Sequence, residues 1–202
     1  MIRYDYHKPK TIEDAISLIA GLENANFVAG GTDVMVLVKQ RKLQPTCLVS
    51  IRDIAELRTI ATNGGVTLGS GVTHTEIANN SLIRRRYSAL ADGSRVVGSL
   101  QIRNVATVGG NICNAAPSAD TACPMLVLDA KVVIQGKDGK RAVPIDEFFL
   151  GPNKVALEKG ELVVGFELPD FGDMAGSAYI KHARRQAMEL PLVGVAAWVM
   201  RW

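Results

Sequence analysis

At 202 residues, with 48% hydrophobic and 21% charged residues, the chain has the composition of a globular protein, with apolar content sufficient for one medium domain or two small lobes. A formal net charge of +3 is too small for a nucleic-acid footprint, no apolar stretch reaches bilayer length, and the polar, aromatic first ten residues do not read as a signal sequence. Three cysteines, Cys47, Cys113 and Cys123, lack C-x-x-C spacing, so they point neither to a disulfide framework nor to a zinc or iron–sulfur centre held by this chain alone; a reducing cytoplasm is the expected compartment.

Thr11 ahead of Glu13 and Asp14 predicts an N-cap, and Ile12, Ala15, Ile16 and Ile19 then fall on one helical face that ends near Gly21. Residues 26–29 read as a short buried strand running into Gly30-Gly31-Thr32-Asp33. Thr32 is placed to cap a second helix carrying Val34, Leu37 and Val38, with Lys39, Arg41 and Lys42 toward its end and Pro45 as its stop. Residues 47–51 supply the next strand. This β-α-β order predicts parallel pairing with a right-handed crossover, which sets the Gly-Gly turn at a strand C-terminus and a helix N-terminus, where anions are favoured.

From residue 59 the pattern becomes antiparallel. Asn63-Gly64-Gly65 predicts a hairpin, Thr73-His74-Thr75-Glu76 a capping box, and residues 81–97 a longer helical stretch whose Arg84-Arg85-Arg86 run reads as a solvated face. A helix over 124–128 and a strand over 131–135 follow, then a turn at Lys137-Asp138-Gly139 into a strand reaching Val143. A short amphipathic piece at 145–150 precedes strands at 162–168 and 178–183. The expected fold class is α+β: an N-terminal β-α-β lobe over residues 1–57, then an α+β lobe with antiparallel strands over residues 58–202. The apolar run 195–202 carries no turn or polar tail, and further chain is expected after Trp202.

Two glycine pairs carry the chemistry: Gly30-Gly31 and Gly109-Gly110, the second within Thr107-Val108-Gly109-Gly110-Asn111. A glycine pair lets backbone approach a ligand and adopt positive φ, and successive amides in such turns form anion-binding concavities. Two such loops would close on one pyrophosphate from both sides. Neither fits G-x-G-x-x-G or G-x-x-x-x-G-K-[ST], which argues against a Rossmann or P-loop protein. Asp33 and Asp120 each read either as a helix cap or as a cofactor contact. His7, His74 and His182 lie on different elements with no metal or triad spacing, so core or surface roles are expected; Cys113 reads as a small buried residue beside the ligand.

With both motifs placed, the chain resembles the FAD-binding (medium) subunit of the molybdenum hydroxylases, most of all that of bacterial xanthine dehydrogenases. The resemblance rests on Phe27-Val28-Ala29-Gly30-Gly31-Thr32-Asp33-Val34, on Gln101-Ile102-Arg103-Asn104-Val105-Ala106 leading into Thr107-Val108-Gly109-Gly110-Asn111, and on Gly151-Pro152 ahead of the Leu162 strand. It implies a two-lobed FAD-binding domain of the vanillyl-alcohol-oxidase/PCMH type, without the C-terminal domain common in the family. It also implies that Phe27 to Val34 line the pyrophosphate and ribityl region and that Thr107 to Asn111 form a second phosphate loop. Asp120 would accept hydrogen bonds from FAD hydroxyls, Val163 would pack near adenine, and Lys181 would approach the polar side of the isoalloxazine. A cation in an apolar strand needs a partner, and reduced flavin would be one.

By the same resemblance the chain supplies no catalytic side chain and no metal ligand. Electrons would come from a molybdopterin centre on a large partner subunit, through [2Fe–2S] clusters on a small one, to FAD here and on to NAD; neither nucleic acid nor membrane is a partner. The implied substrate is a purine such as xanthine. The alternatives are the FAD subunit of a carbon monoxide, nicotinate or aldehyde dehydrogenase, or a nucleotide-binding assembly module without redox turnover.

Overall fold

A computed structural model describes residues 3–201. The chain opens with β1 (Asp5–His7), α1 (Ile12–Ala20), β2 (Ala25–Val28), α2 (Val34–Lys39) and β3 (Cys47–Ser50). Thr11 Oγ1 accepts the Asp14 N–H at 3.1 Å, and Ile12, Ala15, Ile16 and Ile19 are buried, as their spacing predicts. β2 and β3 pair in parallel, and β1 adds in parallel to the other edge of β3. The sequence reading assigns no strand to residues 5–7, because Asp5, Tyr6 and His7 are all exposed and carry no apolar alternation. The ladder with fully buried β3 recruits them.

α2 departs from expectation at both ends. Asp33, not Thr32, precedes it, and the Asp33 side chain makes no capping bond. The helix ends at Gln40, ahead of Pro45: Arg41 takes φ 58°, and the Lys42 and Leu43 N–H groups both return to the Leu37 carbonyl. A left-handed residue closes this helix, and the proline lies outside it.

The chain continues through a 3₁₀ turn (Ala55–Arg58), β4 (Ile60–Thr62), β5 (Gly65–Gly69), α3 (His74–Asn79), α4 (Ser81–Arg86), α5 (Ser88–Arg95), α6 (Leu100–Arg103), α7 (Val108–Asn114) and α8 (Ala122–Val127). Then come β6 (Lys131–Gly136), β7 (Gly139–Pro144), α9 (Ile145–Phe148), β8 (Phe149–Gly151), β9 (Lys154–Val155), β10 (Leu162–Pro169), β11 (Ala175–His182) and β12 (Val193–Met200). The Asn63-Gly64-Gly65 hairpin and the Thr73–Glu76 capping box form as expected. The 81–97 helix is broken at Tyr87, whose φ of −133° leaves the helical region. Its ring is buried and its hydroxyl donates to the Pro169 carbonyl at 2.8 Å, a long-range contact that outweighs local helix continuity.

Five antiparallel strands form a second sheet in the order β4-β5-β10-β6-β7. Its core includes Leu68, Val132, Ile134, Val163 and Phe166, covered by Ile83, Leu90, Ile112, Met125 and Phe148. The parallel sheet has its own core of Ile12, Ile16, Val49, Ile51, Ile54 and Leu57, and it takes in Leu162 of β10. Successive strand residues point to opposite faces, so Leu162 enters one core and Val163 the other. A bond from Gln135 Nε2 to Glu13 Oε1, 3.0 Å, also ties β6 of the second sheet to α1, which packs on the first.

The apolar run near residue 195 folds back on β11 in a full hairpin, from Ala175 opposite Met200 to His182 opposite Val193. Ser177 anchors that hairpin by accepting the Ala89 N–H at the start of α5. Trp202 lies outside the described residues. Among the described residues no helix is long and apolar enough to cross a membrane.

Candidate functional site: a cleft between the two sheets

A cleft of about 610 Å³ runs between the two cores, and both glycine motifs face it. Phe27, Ala29, Gly30, Gly31, Thr32, Asp33 and Val34 line one side; Thr107, Gly109, Gly110, Asn111, Asp120 and Val163 line the rest. Val28 and Val108 do not reach it: both are buried behind the wall. Lys181 stands behind Asp120.

The first motif owes its geometry to the exit from β2. A Cβ on Gly30 would overlap the Val105 carbonyl oxygen and fall 2.6 Å from its carbon, so only glycine lets the first motif touch the segment that leads into the second. Gly31 has φ +74°, which turns the chain toward α2. Among the described residues, the N–H groups of Gly30, Gly31, Thr32 and Asp33 donate to no protein acceptor. They are open donors on the cleft wall, at a concave turn suited to an anion.

The second motif is built differently, and the expectation of a second loop of free amides is corrected. Thr107 caps α7, and residues 108–114 are helical. Val108 N–H donates to Val72 O at 3.0 Å and Gly109 N–H to Ser70 O at 2.9 Å. Gly110 N–H donates to Thr107 Oγ1 at 3.1 Å and Asn111 N–H to Thr107 O at 3.0 Å. The backbone donors of residues 108–111 are all spent within the protein. Neither glycine has positive φ. Gly109 is needed for packing, since its Cβ would lie 2.6 Å from both Ser70 Cβ and Ser70 O; at Gly110 a Cβ would meet only Thr107 Oγ1, at 3.1 Å. Asn111 Oδ1 accepts the Thr121 hydroxyl at 2.6 Å, tying α7 to the start of α8.

At the polar end, Asp120 is buried and caps nothing; Thr121 precedes α8, without a side-chain cap. Tyr179 Oη donates to Asp120 Oδ1 at 2.9 Å, and Lys181 Nζ to Asp120 Oδ2 at 2.9 Å and to Val96 O at 3.3 Å. The partner that a buried lysine requires is therefore Asp120. Burial raises the Asp120 pKa, and the bonds from Lys181 and Tyr179 oppose that shift. The Tyr179 hydroxyl is pushed up by burial and by the neighbouring carboxylate.

Sequence reasoning missed four wall residues. Glu161 lies next to Leu162 and Val163; it takes Arg141 bidentately at 2.8 and 2.7 Å, and that pairing holds its pKa low. Ser70 and His74 line the opposite wall, fully or almost fully buried, and the Ser70 hydroxyl and both imidazole nitrogens have no partner. Burial, then the Arg103 charge, lowers the His74 pKa to about 4, so the ring is neutral at pH 7. Glu189, on the β11–β12 connection, also faces the cleft and pairs with Arg184 at 2.9 Å. A capping box marks His74 as a first-turn residue, but nothing local tells which way its ring faces. Cys113 lies at the wall with its thiol pushed up to about 12 by burial, so it is protonated and no redox thiolate.

Residues 2–171 match the family described as FAD binding domain in molybdopterin dehydrogenase. The chain belongs to that family. It is 43% identical over 195 residues to the xanthine dehydrogenase FAD-binding subunit of Escherichia coli O157:H7, a match covering 95% of this chain and 67% of the relative. It is 33% identical over 185 residues to the carbon monoxide dehydrogenase medium chain of Hydrogenophaga pseudoflava, covering 91% of this chain and 64% of that one. A chain of the reconstituted CO dehydrogenase from Oligotropha carboxidovorans superposes with a TM-score of 0.95 at 29% identity, covering 99% of this chain and 70% of its own. The chain thus spans about two thirds of the length of these family members. The α+β FAD-binding fold implied by the two motifs is the fold observed.

Proposed function

We propose that the chain is the FAD-binding subunit of a xanthine dehydrogenase-type molybdenum hydroxylase, with residues 1–57 and 58–202 as the two lobes that clasp the cofactor. The observation that carries this reading is the turn at residues 30–33, whose four backbone donors are open on the cleft wall. They would hold the pyrophosphate. Elsewhere Val163 would offer an apolar wall for adenine and Asp120 an acceptor for hydroxyls, with Lys181 holding that carboxylate from behind and its charge toward the polar edge of the isoalloxazine. The second motif would contribute close packing and side-chain contact, because the backbone amides of residues 108–111 are taken. A volume of about 610 Å³ lies within the range of ligand pockets.

When bound, FAD supplies the redox chemistry that links iron–sulfur clusters to a soluble acceptor, and NAD is the acceptor in this reading. This chain's residues bind, orient and shield; the molybdopterin and [2Fe–2S] centres belong to large and small partner subunits in the cytoplasm. Xanthine is favoured over carbon monoxide, because identity is 43% to the xanthine relative against 33% to the carbon monoxide relative.

The test is reconstitution. The purified protein should take up FAD non-covalently and release it on acid precipitation, and NADH should then reduce it. The chain by itself should not hydroxylate xanthine, whereas large and small subunits should restore turnover. Release of FMN or haem, or xanthine turnover by the isolated metal-free chain, would overturn the assignment.

A further inference from the structure

The Asp120–Lys181 pair has a third member for which the proposed cofactor contacts supply no role. Tyr179 and Lys181 are two residues apart on β11, so their side chains leave the strand on one face, and both reach the same carboxylate. They divide it: Oδ1 receives the tyrosine and Oδ2 the lysine. All three side chains are largely buried, with Tyr179 7% and Asp120 6% exposed. The tyrosine hydroxyl fits only because position 194 on β12 is glycine. A Cβ there would stand 2.5 Å from Tyr179 Oη and 3.1–3.2 Å from its ring carbons. Gly194 pairs with Lys181 across the hairpin, so the strand that carries the lysine is backed by the residue that admits the tyrosine.

We infer that Tyr179 is a positioning residue of the cleft: by donating to Oδ1 it turns the Asp120 carboxylate so that Oδ2 holds Lys181, and Gly194 is glycine to leave room for that hydroxyl. The inference rests on the FAD reading for the ligand concerned, but the arrangement exists in the protein without it. Lys181 uses two of its three N–H donors on Asp120 and Val96, which pins the ammonium behind the carboxylate. Each carboxylate oxygen keeps an acceptor position. With Tyr179 in place, the Asp120 carboxylate lines the cleft in a fixed orientation, with Lys181 held behind it. Without it, Oδ1 is a buried acceptor lacking its donor, and the carboxylate can rotate away from the lysine.

The experiment compares Tyr179→Phe, Gly194→Ala, Asp120→Asn and the Tyr179→Phe/Asp120→Asn double variant. In FAD titrations Tyr179→Phe should weaken binding about tenfold, and Gly194→Ala should follow it, since both remove the same bond. Adding Tyr179→Phe to Asp120→Asn should cost little more, because the tyrosine acts through the aspartate. The midpoint potential of FAD-saturated Tyr179→Phe should move in the same direction as that of Asp120→Asn; a purely structural loss would leave it in place. Unchanged affinity and potential in a folded Tyr179→Phe protein overturn the inference, and so do strictly additive effects. If the wild-type protein binds no FAD, the functional reading fails; non-additivity across wild type, Tyr179→Phe, Asp120→Asn and their double variant in urea denaturation then decides the role of Tyr179 by itself.

Discussion

Replacing His74 by leucine tests the cleft wall through its pH dependence. The folded protein holds this imidazole neutral, with a pKa near 4 set by burial first and by the Arg103 charge second, whereas the unfolded chain has the ordinary value of 6.5. Below pH 6.5 the unfolded state therefore takes up a proton that the folded state refuses until about pH 4. Stability linked to this group is intact above pH 6.5 and falls steadily as pH drops toward 4. The separation of the two values corresponds to about 3 kcal/mol once pH reaches 4, and to about 2 kcal/mol at pH 5. In His74→Leu this loss should vanish. Near pH 7 the variant should stay within about 1 kcal/mol of wild type, because the leucine also removes two buried ring nitrogens without partners. Urea denaturation of both proteins at pH 7 and pH 5 measures the difference directly, since the remaining titrating groups are common to both and cancel. If wild type and variant lose the same stability over that interval, the ring is not held neutral and unpartnered, and the reasoning fails.

The glycines make a graded set. Gly30→Ala should lower stability by about 1–3 kcal/mol and abolish FAD uptake in titrations, because its Cβ overlaps the Val105 carbonyl. Gly109→Ala should destabilise comparably through Ser70, whereas Gly110→Ala should be tolerated within about 1 kcal/mol; the reverse order in thermal melts would contradict the helical placement of the second motif. Thr107→Val removes the side-chain cap of α7 and should cost about 1 kcal/mol in urea denaturation, with no loss indicating that the bond to Gly110 is not formed in solution.

The elements that the sequence determined are those governed by neighbours a few residues away. The Thr11 cap and the Ile12–Ile19 face, the Asn63-Gly64-Gly65 turn, the Thr73–Glu76 box and the parallel β2–β3 pair follow from periodicity, capping chemistry and turn residues. Both glycine motifs were legible for the same reason, and residues of both line one cleft. Tertiary structure alone decided which donors remain for a ligand. Thr107 caps its own helix while Ser70 and Val72 take two more amides, so identical Gly-Gly pairs end with opposite roles, one as open donors and the other as packing. It decided as well that Tyr87 breaks a helix to reach Pro169, that β1 joins a sheet its own side chains do not favour, and that Lys181 meets Asp120 across 61 positions of chain. A hydrogen-bonding group reveals its type in the sequence, but its partner is whatever the fold carries within about 3 Å, and that neighbour is set by packing between segments distant along the chain.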